Sequence, residues 1–433
     1  MSLQSTQNQK AGHAHGLSAS SYKPKIFKQV FAAGFLGNLL DHYDTALYGL
    51  LVPWLAPLIF PKEDPVVALI IAYGLLSAGI FTRPLGALFF GKYALKHGAK
   101  KTLIVSLLGV AFATMSMGFL PLYKHVAYKA VAILGALRAL QAFFAAGETA
   151  IAPLFILQQD KPSRYTLTSS FYEISSMLGI FLASGLVWIG SQQEWIAYGW
   201  RYLFGLGFLT ALVALALRLS IKGEQEPQIP KNIKLYPIIK NNKGLLLQLF
   251  CVSSLNYLTY MVPFVFLNSF VPLISSISKE EVLQYNTLLL VLDMLLLPLF
   301  GYIAKRYQPK AFMLGAAILL SISLVPIFLY MPKMSLGGLT LARVWMISLG
   351  LAFMAPKKAW IMQSLKPEER YVLKSFAYHL AAETLGRSSP AICLALWYKT
   401  ASPLGPAIYI TAIALAAVLA LLSSKRGPAF CQS

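Results

Sequence analysis

Two aspartates interrupt an apolar run near the start of the chain. Asp41 and Asp44 are three residues apart, and Asn38 and Tyr48 lie at helical spacings of three to four from them. A helix would therefore carry all four side chains on one face. Two carboxylates that close repel each other when both are ionised, which favours a proton on one of them. The spacing predicts proton binding and release; the alternative is a salt-bridged structural pair.

A second polar set lies in an apolar run around residue 140. Gln141 and Glu148 are two helical turns apart on one face, and Arg138 precedes them. Arg138 offers a planar fork of donors that suits either the carboxylate of a bound molecule or an internal acid, and the residues leave both open. Glu148 is a second candidate for proton binding.

The second half of the chain has its own charged set. Lys357 and Lys358 follow Pro356, a residue that can break a helix and free backbone carbonyls, and Arg343 and Asp293 lie in neighbouring segments. Adjacent helical side chains point about 100° apart, so we expect only one lysine, Lys357, to face the interior. A lysine in that position would favour an anionic ligand.

Other charges inside apolar runs predict structural or gating roles. Glu383 and Arg387 are spaced i, i+4, which predicts an internal helix pair. Arg83 precedes Pro84 at the expected cytoplasmic end of the second run, where its length would let it reach water. We expect a gating or structural role for Arg83.

The composition identifies the solvent that surrounds these charges. Of 433 residues, 57% are hydrophobic and 12% are charged, with a mean hydropathy of +0.62. A soluble protein needs a more polar surface, so the solvent is lipid. The net charge of +21 is spread between apolar runs and does not form a nucleic-acid-binding face. Cys251, Cys393 and Cys431 have no metal-ligand or paired spacing, so we expect no metal, cofactor or disulfide.

Apolar windows of about 20 residues predict twelve membrane spans. They begin near residues 28, 66, 102, 130, 166, 201, 244, 282, 311, 338, 371 and 404. An even number of spans places both termini on one side of the membrane. Alternate connections carry the lysines and arginines, at 92–101, 161–164, 222–243, 305–310, 366–370 and 425–426. The positive-inside rule therefore predicts that both termini are cytoplasmic.

The longest polar interruption divides the chain into two halves. Residues 222–243 contain Pro227, Pro230 and Pro237 and predict a linker. We expect an all-α membrane protein with twelve helices in two six-helix halves, the arrangement in which one half tilts against the other around a central site. The predicted regions are a cytoplasmic tail at 1–26, the first half at 27–221, the linker at 222–243, the second half at 244–424 and a tail at 425–433.

Several runs resemble one transporter family. Residues 37 to 49 read GNLLDHYDTALYG and are similar to the first-span motif of the metabolite:proton symporter family of the major facilitator superfamily. Further matches follow in the family's order: RPLGALFFG at 83–91, RALQAFFAAGE at 138–148, GWRYLFG at 199–205 and RYVLKSFAYHLAAETLGRSSP at 370–390. The resemblance implies the major facilitator fold.

Departures from the family pattern concern the cytoplasmic turns. The superfamily signature G-x-x-x-D-R-x-G-R-K is reduced to GKYALKHGAKK, with Leu95 at the acidic position and Ala99 at an arginine position. In the second copy, GYIAKRYQPK, Lys305 occupies the acidic position. The family carboxylate helps to close the cytoplasmic side, so gating must differ here. The resemblance implies gating roles for Arg83, Gly91 and Lys101.

These observations together predict proton-coupled uptake of a small carboxylate or zwitterion. The partners would be the solute, protons and the lipid of the inner membrane, with no nucleic acid, and the protein would act as a monomer. Residues expected to bind the solute or couple it to protons are Asp41, Asp44, Tyr48, Arg138, Gln141, Glu148 and Lys357.

Three alternatives remain open on the residues. A proton antiporter that exports a drug-like or metabolic solute would have fewer buried bases. A membrane enzyme would need a catalytic motif such as G-x-S-x-G or H-E-x-x-H, and neither occurs in the chain. The altered cytoplasmic signatures leave a non-transporting membrane sensor as the third.

Overall fold

The structure, a computed structural model, describes residues 24–120, 129–160, 165–192, 195–222, 240–304, 307–365 and 367–424. All regular secondary structure in these ranges is helical. The predicted tail at 425–433 lies outside the described residues. The predicted tail at 1–26 and linker at 222–243 also lie outside them, except for residues 24–26, 222 and 240–243.

The first half begins with a long helix and contains one broken span. Its described helices are α1 (Pro24–Ile59), α2 (Pro65–Gly74), α3 (Thr82–His97), α4 (Ala99–Gly118), α5 (Lys129–Gln158), α6 (Tyr165–Ser191) and α7 (Ile196–Ser220). Helices α2 and α3 together form the predicted second span, which is interrupted by a 3-10 turn at Leu75–Ser77.

The second half has three broken spans. Its described helices are α8 (Lys243–Met261), α9 (Leu267–Ile274), α10 (Lys279–Ala304), α11 (Pro309–Tyr330), α12 (Leu336–Met354), α13 (Lys357–Ser364), α14 (Pro367–Ala381), α15 (Ser389–Thr400) and α16 (Leu404–Ser423). A π-helical turn at Val262–Phe266 joins α8 to α9, and another at Ala382–Gly386 lies between α14 and α15. Helices α12 and α13 form one span around Pro356.

Ten helical segments among the described residues are long and apolar enough to cross a bilayer. The other two predicted spans are α1 and the segment from α14 to α15. Those two carry Asp41 and Asp44, and Glu383 and Arg387, so the charged residues lower their apolar content.

Local sequence explains where several helices begin. The Asp64 side chain caps α2 by accepting from the backbone amides of Val66 at 2.9 Å and Val67 at 3.2 Å, with Pro65 at the first helical position. Before α10, the amide of Ser278 donates to Glu281 at 3.0 Å, and the amide of Glu281 donates to the Ser278 hydroxyl at 3.2 Å, forming a capping box. Gly98, at φ 84°, separates α3 from α4.

Glycines bring the helices of the first half into close contact. A Cβ on Gly179 of α6 would lie 2.2 Å from the backbone oxygen of Leu39 in α1, and one on Gly86 of α3 would lie 2.2 Å from that of Phe143 in α5. Small residues allow this approach because packing is the main force between helices in lipid. The first span is therefore fixed against the fifth, and the second against the fourth.

The same lysine contact lies at the predicted cytoplasmic end of each half. Lys100 at the start of α4 donates to the backbone oxygen of Ile221, which follows α7. Lys310 at the start of α11 donates to the backbone oxygen of Ser424, which follows α16, at 2.8 Å. Each lysine neutralises the negative end of the last helix of its own half. The two contacts show a structural repeat and make each half a unit.

Contacts between the halves are concentrated at the predicted external side. The Tyr73 hydroxyl lies 2.7 Å from that of Ser269, and the Ser184 hydroxyl lies 2.8 Å from that of Thr287. The Lys279 ammonium lies 4.9 Å from the centre of the Trp54 ring. Helix α2 packs on α15, and α6 packs on α10. The halves are joined at this side of the membrane.

We predict that Gly179→Ala destabilises the protein and that Gly185→Ala, on the same helix, does not. The new methyl group at 179 would overlap Leu39, at a cost of about 1–3 kcal/mol, whereas the nearest atom to a Cβ at 185 is 3.9 Å away. Thermal unfolding of both purified variants in detergent measures the difference. Equal midpoints would contradict the close contact of α1 with α6.

Candidate functional site

Arg83 occupies the centre of the site. Its guanidinium lies 3.6 Å from the carboxylate of Asp41 in α1 and 3.4 Å from that of Glu383 in the second half. Only 4% of Arg83 is exposed, and α3 continues past it to His97. The expectation that Arg83 reaches water at the cytoplasmic end is therefore wrong, because the span ends well beyond it. Arg83 joins the two halves through a shared charge.

The π-helical turn at Ala382–Gly386 presents Glu383 to Arg83. Glu383 is fully buried and also forms an ion pair with Arg387, as its i, i+4 spacing predicts. A Cβ on Gly79, in the break of the second span, would lie 3.0 Å from a Glu383 carboxylate oxygen. The break and the π turn thus create the space in which charges of the two halves meet. The chain of charges runs Asp41, Arg83, Glu383, Arg387.

Asp44 belongs to a second network, formed by the first half alone. Its carboxylate accepts from the Thr114 hydroxyl at 2.7 Å, and Thr114 accepts from the Gln141 amide at 2.9 Å. The oxygen of Gln141 accepts from Arg138 at 2.7 Å. The Arg138 guanidinium also lies 4.6 Å from the centre of the Tyr48 ring. Arg138 therefore has neutral contacts and reaches Asp44 only through two intervening side chains.

The two aspartates lie within electrostatic reach of each other, as their spacing predicts, but their direct contacts differ. Asp41 contacts Arg83, whereas Asp44 contacts Thr114. Asn38 is also turned away, since its amide donates to the hydroxyls of Ser175 at 2.7 Å and Ser176 at 2.8 Å in α6. Three residues correspond to a 60° offset around a helix, which is enough to direct neighbouring acids towards different helices.

Glu148 forms a compact ion pair with Arg218. The two side chains are 2.5 Å apart and both are buried, and Arg218 also donates to the backbone oxygen of Leu103 at 2.7 Å. A Cβ on Gly37 would lie 2.2 Å from Arg218, so the glycine of the first motif makes room for the pair. This pair ties α5 to α7 within the first half.

The charged set of the second half is divided between two places. Lys357 is buried and its ammonium lies 5.5 Å from the centre of the Tyr378 ring, in agreement with its predicted inward direction. Arg343 instead donates to the backbone oxygens of Pro263 at 2.7 Å and Val282 at 3.4 Å and to the amide oxygens of Asn268 and Asn286. Arg343 thus stabilises the external part of the second half.

The residues expected to gate the cytoplasmic side make few contacts. Lys101 is exposed and forms no hydrogen bond or ion pair within the described ranges. A Cβ on Gly91 would meet no atom within 4 Å. The adjacent Lys100 makes the contact to the end of α7 instead. A gating role for Gly91 and Lys101 stays a prediction without a described contact behind it.

Three features of the site were not predicted from the sequence. Arg218 looked like one more basic residue near a helix end, although a buried Glu148 required a base. Thr114 gave no signal, because a hydroxyl in an apolar run is common. The pairing of Arg83 with Glu383, 300 positions apart, depends on how the halves meet.

We predict that Glu148→Gln and Arg218→Met each lower the stability of the protein by about 3 kcal/mol, because each leaves one buried charge unpaired. The double variant should recover most of the loss. Thermal unfolding of the three purified proteins measures this coupling. Independent, additive losses would contradict a structural ion pair.

The chain is similar in sequence to known membrane transport proteins. The model of the Major Facilitator Superfamily matches residues 34–388. The chain is 26% identical to the inner membrane metabolite transport protein YhjE of Escherichia coli, over 91% of this chain and 93% of that protein. It is 24% identical to the glycine betaine/proline/ectoine/pipecolic acid transporter OusA of Dickeya dadantii, over 92% and 83% respectively.

The fold matches a solved transporter structure over nearly its whole length. The crystal structure of a D-xylose-proton symporter superposes with a TM-score of 0.74 at 14% identity, covering 92% of this chain and 97% of the other. At that identity the likeness concerns the fold alone.

Proposed function

Because the chain belongs to the Major Facilitator Superfamily, we propose that it is a proton-coupled symporter that takes up a small organic carboxylate or zwitterion by alternating access. It is a multi-pass membrane transporter and not an enzyme. The observation that carries the proposal is the Arg83 guanidinium, shared between a carboxylate of each half.

Sharing one base between two acids makes the contact between the halves sensitive to protons. While Asp41 is ionised, it competes with Glu383 for Arg83. A proton on Asp41 removes the competitor, so Arg83 binds Glu383 more strongly and draws the halves together. A bare charge in the middle of a bilayer costs about 2.5–3.5 kcal/mol, so neutralisation also lowers the barrier to closing the carrier. Asp41 is therefore our leading coupling residue, with Asp44 as the second.

Arg138 is the best candidate to bind the carboxylate of the solute. It is buried, its direct contacts are the neutral side chains of Gln141 and Tyr48, and its charge lies within electrostatic reach of Glu383 and Arg387 in the other half. A guanidinium without a direct acidic partner can bind a carboxylate through two parallel hydrogen bonds. Lys357 would add positive charge on the side of the second half. Glu148 is satisfied by Arg218 and is better explained as structural.

The proposed topology follows the distribution of charge. Both termini and the basic connections would be cytoplasmic, in the inner membrane, with the protein active as a monomer. The contacts between the halves at Tyr73 and Ser184 would then close the external side.

The first test is uptake by proteoliposomes with an imposed pH gradient, alkaline inside, using labelled organic acids and betaines. One pH unit drives about tenfold accumulation with one proton, because 1.36 kcal/mol corresponds to a factor of ten. We expect this accumulation for the unmodified protein. Asp41→Asn should reduce it to equilibration while preserving exchange of solute between the two sides.

Asp64→Asn is the matched control, since asparagine also caps a helix and Asp64 lies on the external side. Full accumulation by Asp41→Asn would show that Asp41 does not couple solute uptake to protons. Solute leaving the vesicles against its gradient would support antiport instead, and proton flux without any solute effect would support a sensor.

We further predict that Arg138→Lys raises the half-saturating solute concentration at least about tenfold, because lysine keeps the charge but loses the planar fork and the ring contact with Tyr48. Arg201→Lys is the control: Arg201 lies 4.3 Å from the centre of the Trp200 ring, at the external end of α7. An unchanged value for Arg138→Lys would exclude Arg138 as the carboxylate-binding residue.

A further inference from the structure

One buried acid of the second half takes no part in the networks above. Asp293 lies in α10, is 6% exposed, and forms no hydrogen bond or ion pair within the part of the chain that the structure describes. An ionised carboxylate at this depth requires a positive partner or a proton. No base among the described residues pairs with Asp293, so the acid needs either a proton or a positive partner from outside these residues.

The face of α10 that carries Asp293 points towards the other half. Asn286 lies two helical turns before Asp293 and therefore on the same face. The Asn286 amide donates to the Ser184 hydroxyl of α6 at 3.2 Å, next to the contact of Ser184 with Thr287. Asp293 lies on the same face of α10 but further from the external contact, towards the middle of the membrane, where a solute would lie.

Two groups of α8 that favour a cation are candidates to share a site with Asp293. Tyr260 of α8 lies within electrostatic reach of Asp293, and its ring packs at 5.5 Å against that of Phe264. One turn earlier, Asn256 has a buried side-chain oxygen without a hydrogen-bond donor. A carboxylate, an amide oxygen and an aromatic ring are the groups that bind an ammonium, including a fully methylated one that offers no N–H.

The buried charges of the two halves are complementary. Asp41, Glu148 and Glu383 have arginine partners, and Arg343 has four neutral acceptors. Asp44 and Arg138 belong to one network of the first half. Asp293 alone among these acids has neither an ion pair nor a hydrogen bond. Arg138 in the first half can thus offer a cation to the solute, and Asp293 in the second half can offer an anion.

We propose that Asp293, with Tyr260 and Asn256, forms a subsite that binds the positively charged group of the solute. The solute is then a zwitterion whose carboxylate binds Arg138 in the opposite half, which rests on the function proposed above. Such a solute links the two halves as it binds, and an anion without the ammonium leaves Asp293 buried and unpaired.

Two pairs of probes differ only in the positive charge. Glycine betaine is matched by 3,3-dimethylbutyrate, in which carbon replaces nitrogen, and L-proline is matched by cyclopentanecarboxylate. Binding of each probe to the full-length protein in detergent is measured by calorimetry, for the unmodified protein, Asp293→Asn and the control Glu280→Gln at the external start of α10. Thermal unfolding of each variant verifies that it is folded. The comparison of each zwitterion with its carbon analogue on the unmodified protein does not depend on any variant.

We expect the unmodified protein and Glu280→Gln to bind at least one zwitterion at least about tenfold more tightly than its carbon analogue. Asp293→Asn should lose that preference and retain binding of the carboxylate. If the unmodified protein binds the anions as tightly as the zwitterions, the subsite is disproved while carboxylate transport stands. If Asp293→Asn keeps the preference, Asp293 does not bind the ammonium. If none of the four probes binds, both this subsite and the proposed solute class fail.

Discussion

A charge inside hydrocarbon is costly unless it has a partner, and this constraint governs the interior of the protein. Arg83 has one acidic partner in each half. Its guanidinium donates to the Glu383 carboxylate at 3.4 Å and lies 3.6 Å from that of Asp41, so the two acids share one base. The break in the second span, with Gly79, and the π turn that carries Glu383 are both local departures from regular helix that allow this contact. Irregular backbone is tolerated in the membrane where it is enclosed by protein.

The two signature turns lack their acidic residues, whereas an ion pair between the halves lies within the membrane. The positions that are acidic in the superfamily signature are Leu95 and Lys305 in this chain. Two lysines of these turns, Lys100 and Lys310, bind the ends of helices within their own half. The described ionic contact across the halves is instead the one between Arg83 and Glu383.

The fold was largely predictable from the sequence, because lipid allows few architectures. Apolar run lengths, basic connections and ordered motifs led to the all-helical major facilitator fold, which the family match and the structural likeness confirm. The polar residues of the site were recognised by their rarity in apolar runs. Their directions were not, since Asp41 and Asp44 differ by a small rotation that sequence spacing does not resolve. Arg83 was placed too near the end of its span because the span runs from Pro65 to Ala94, well beyond a window of about 20 residues.

Pairing across long separations was the part that could not be read from one sequence. Glu148 could be recognised as an unusual buried acid, but its partner Arg218 resembled an ordinary basic residue at a helix end. The roles of the individual site residues remain proposals that rest on geometry. The two π-helical turns, at Val262–Phe266 and Ala382–Gly386, lie in the seventh and eleventh spans, whereas the corresponding first and fifth spans, α1 and α6, are continuous α-helices. Wider helical turns bend more readily. The repeat is therefore symmetric in topology but unequal in local helix geometry, and we infer that the seventh and eleventh spans bend more than their counterparts when a solute binds.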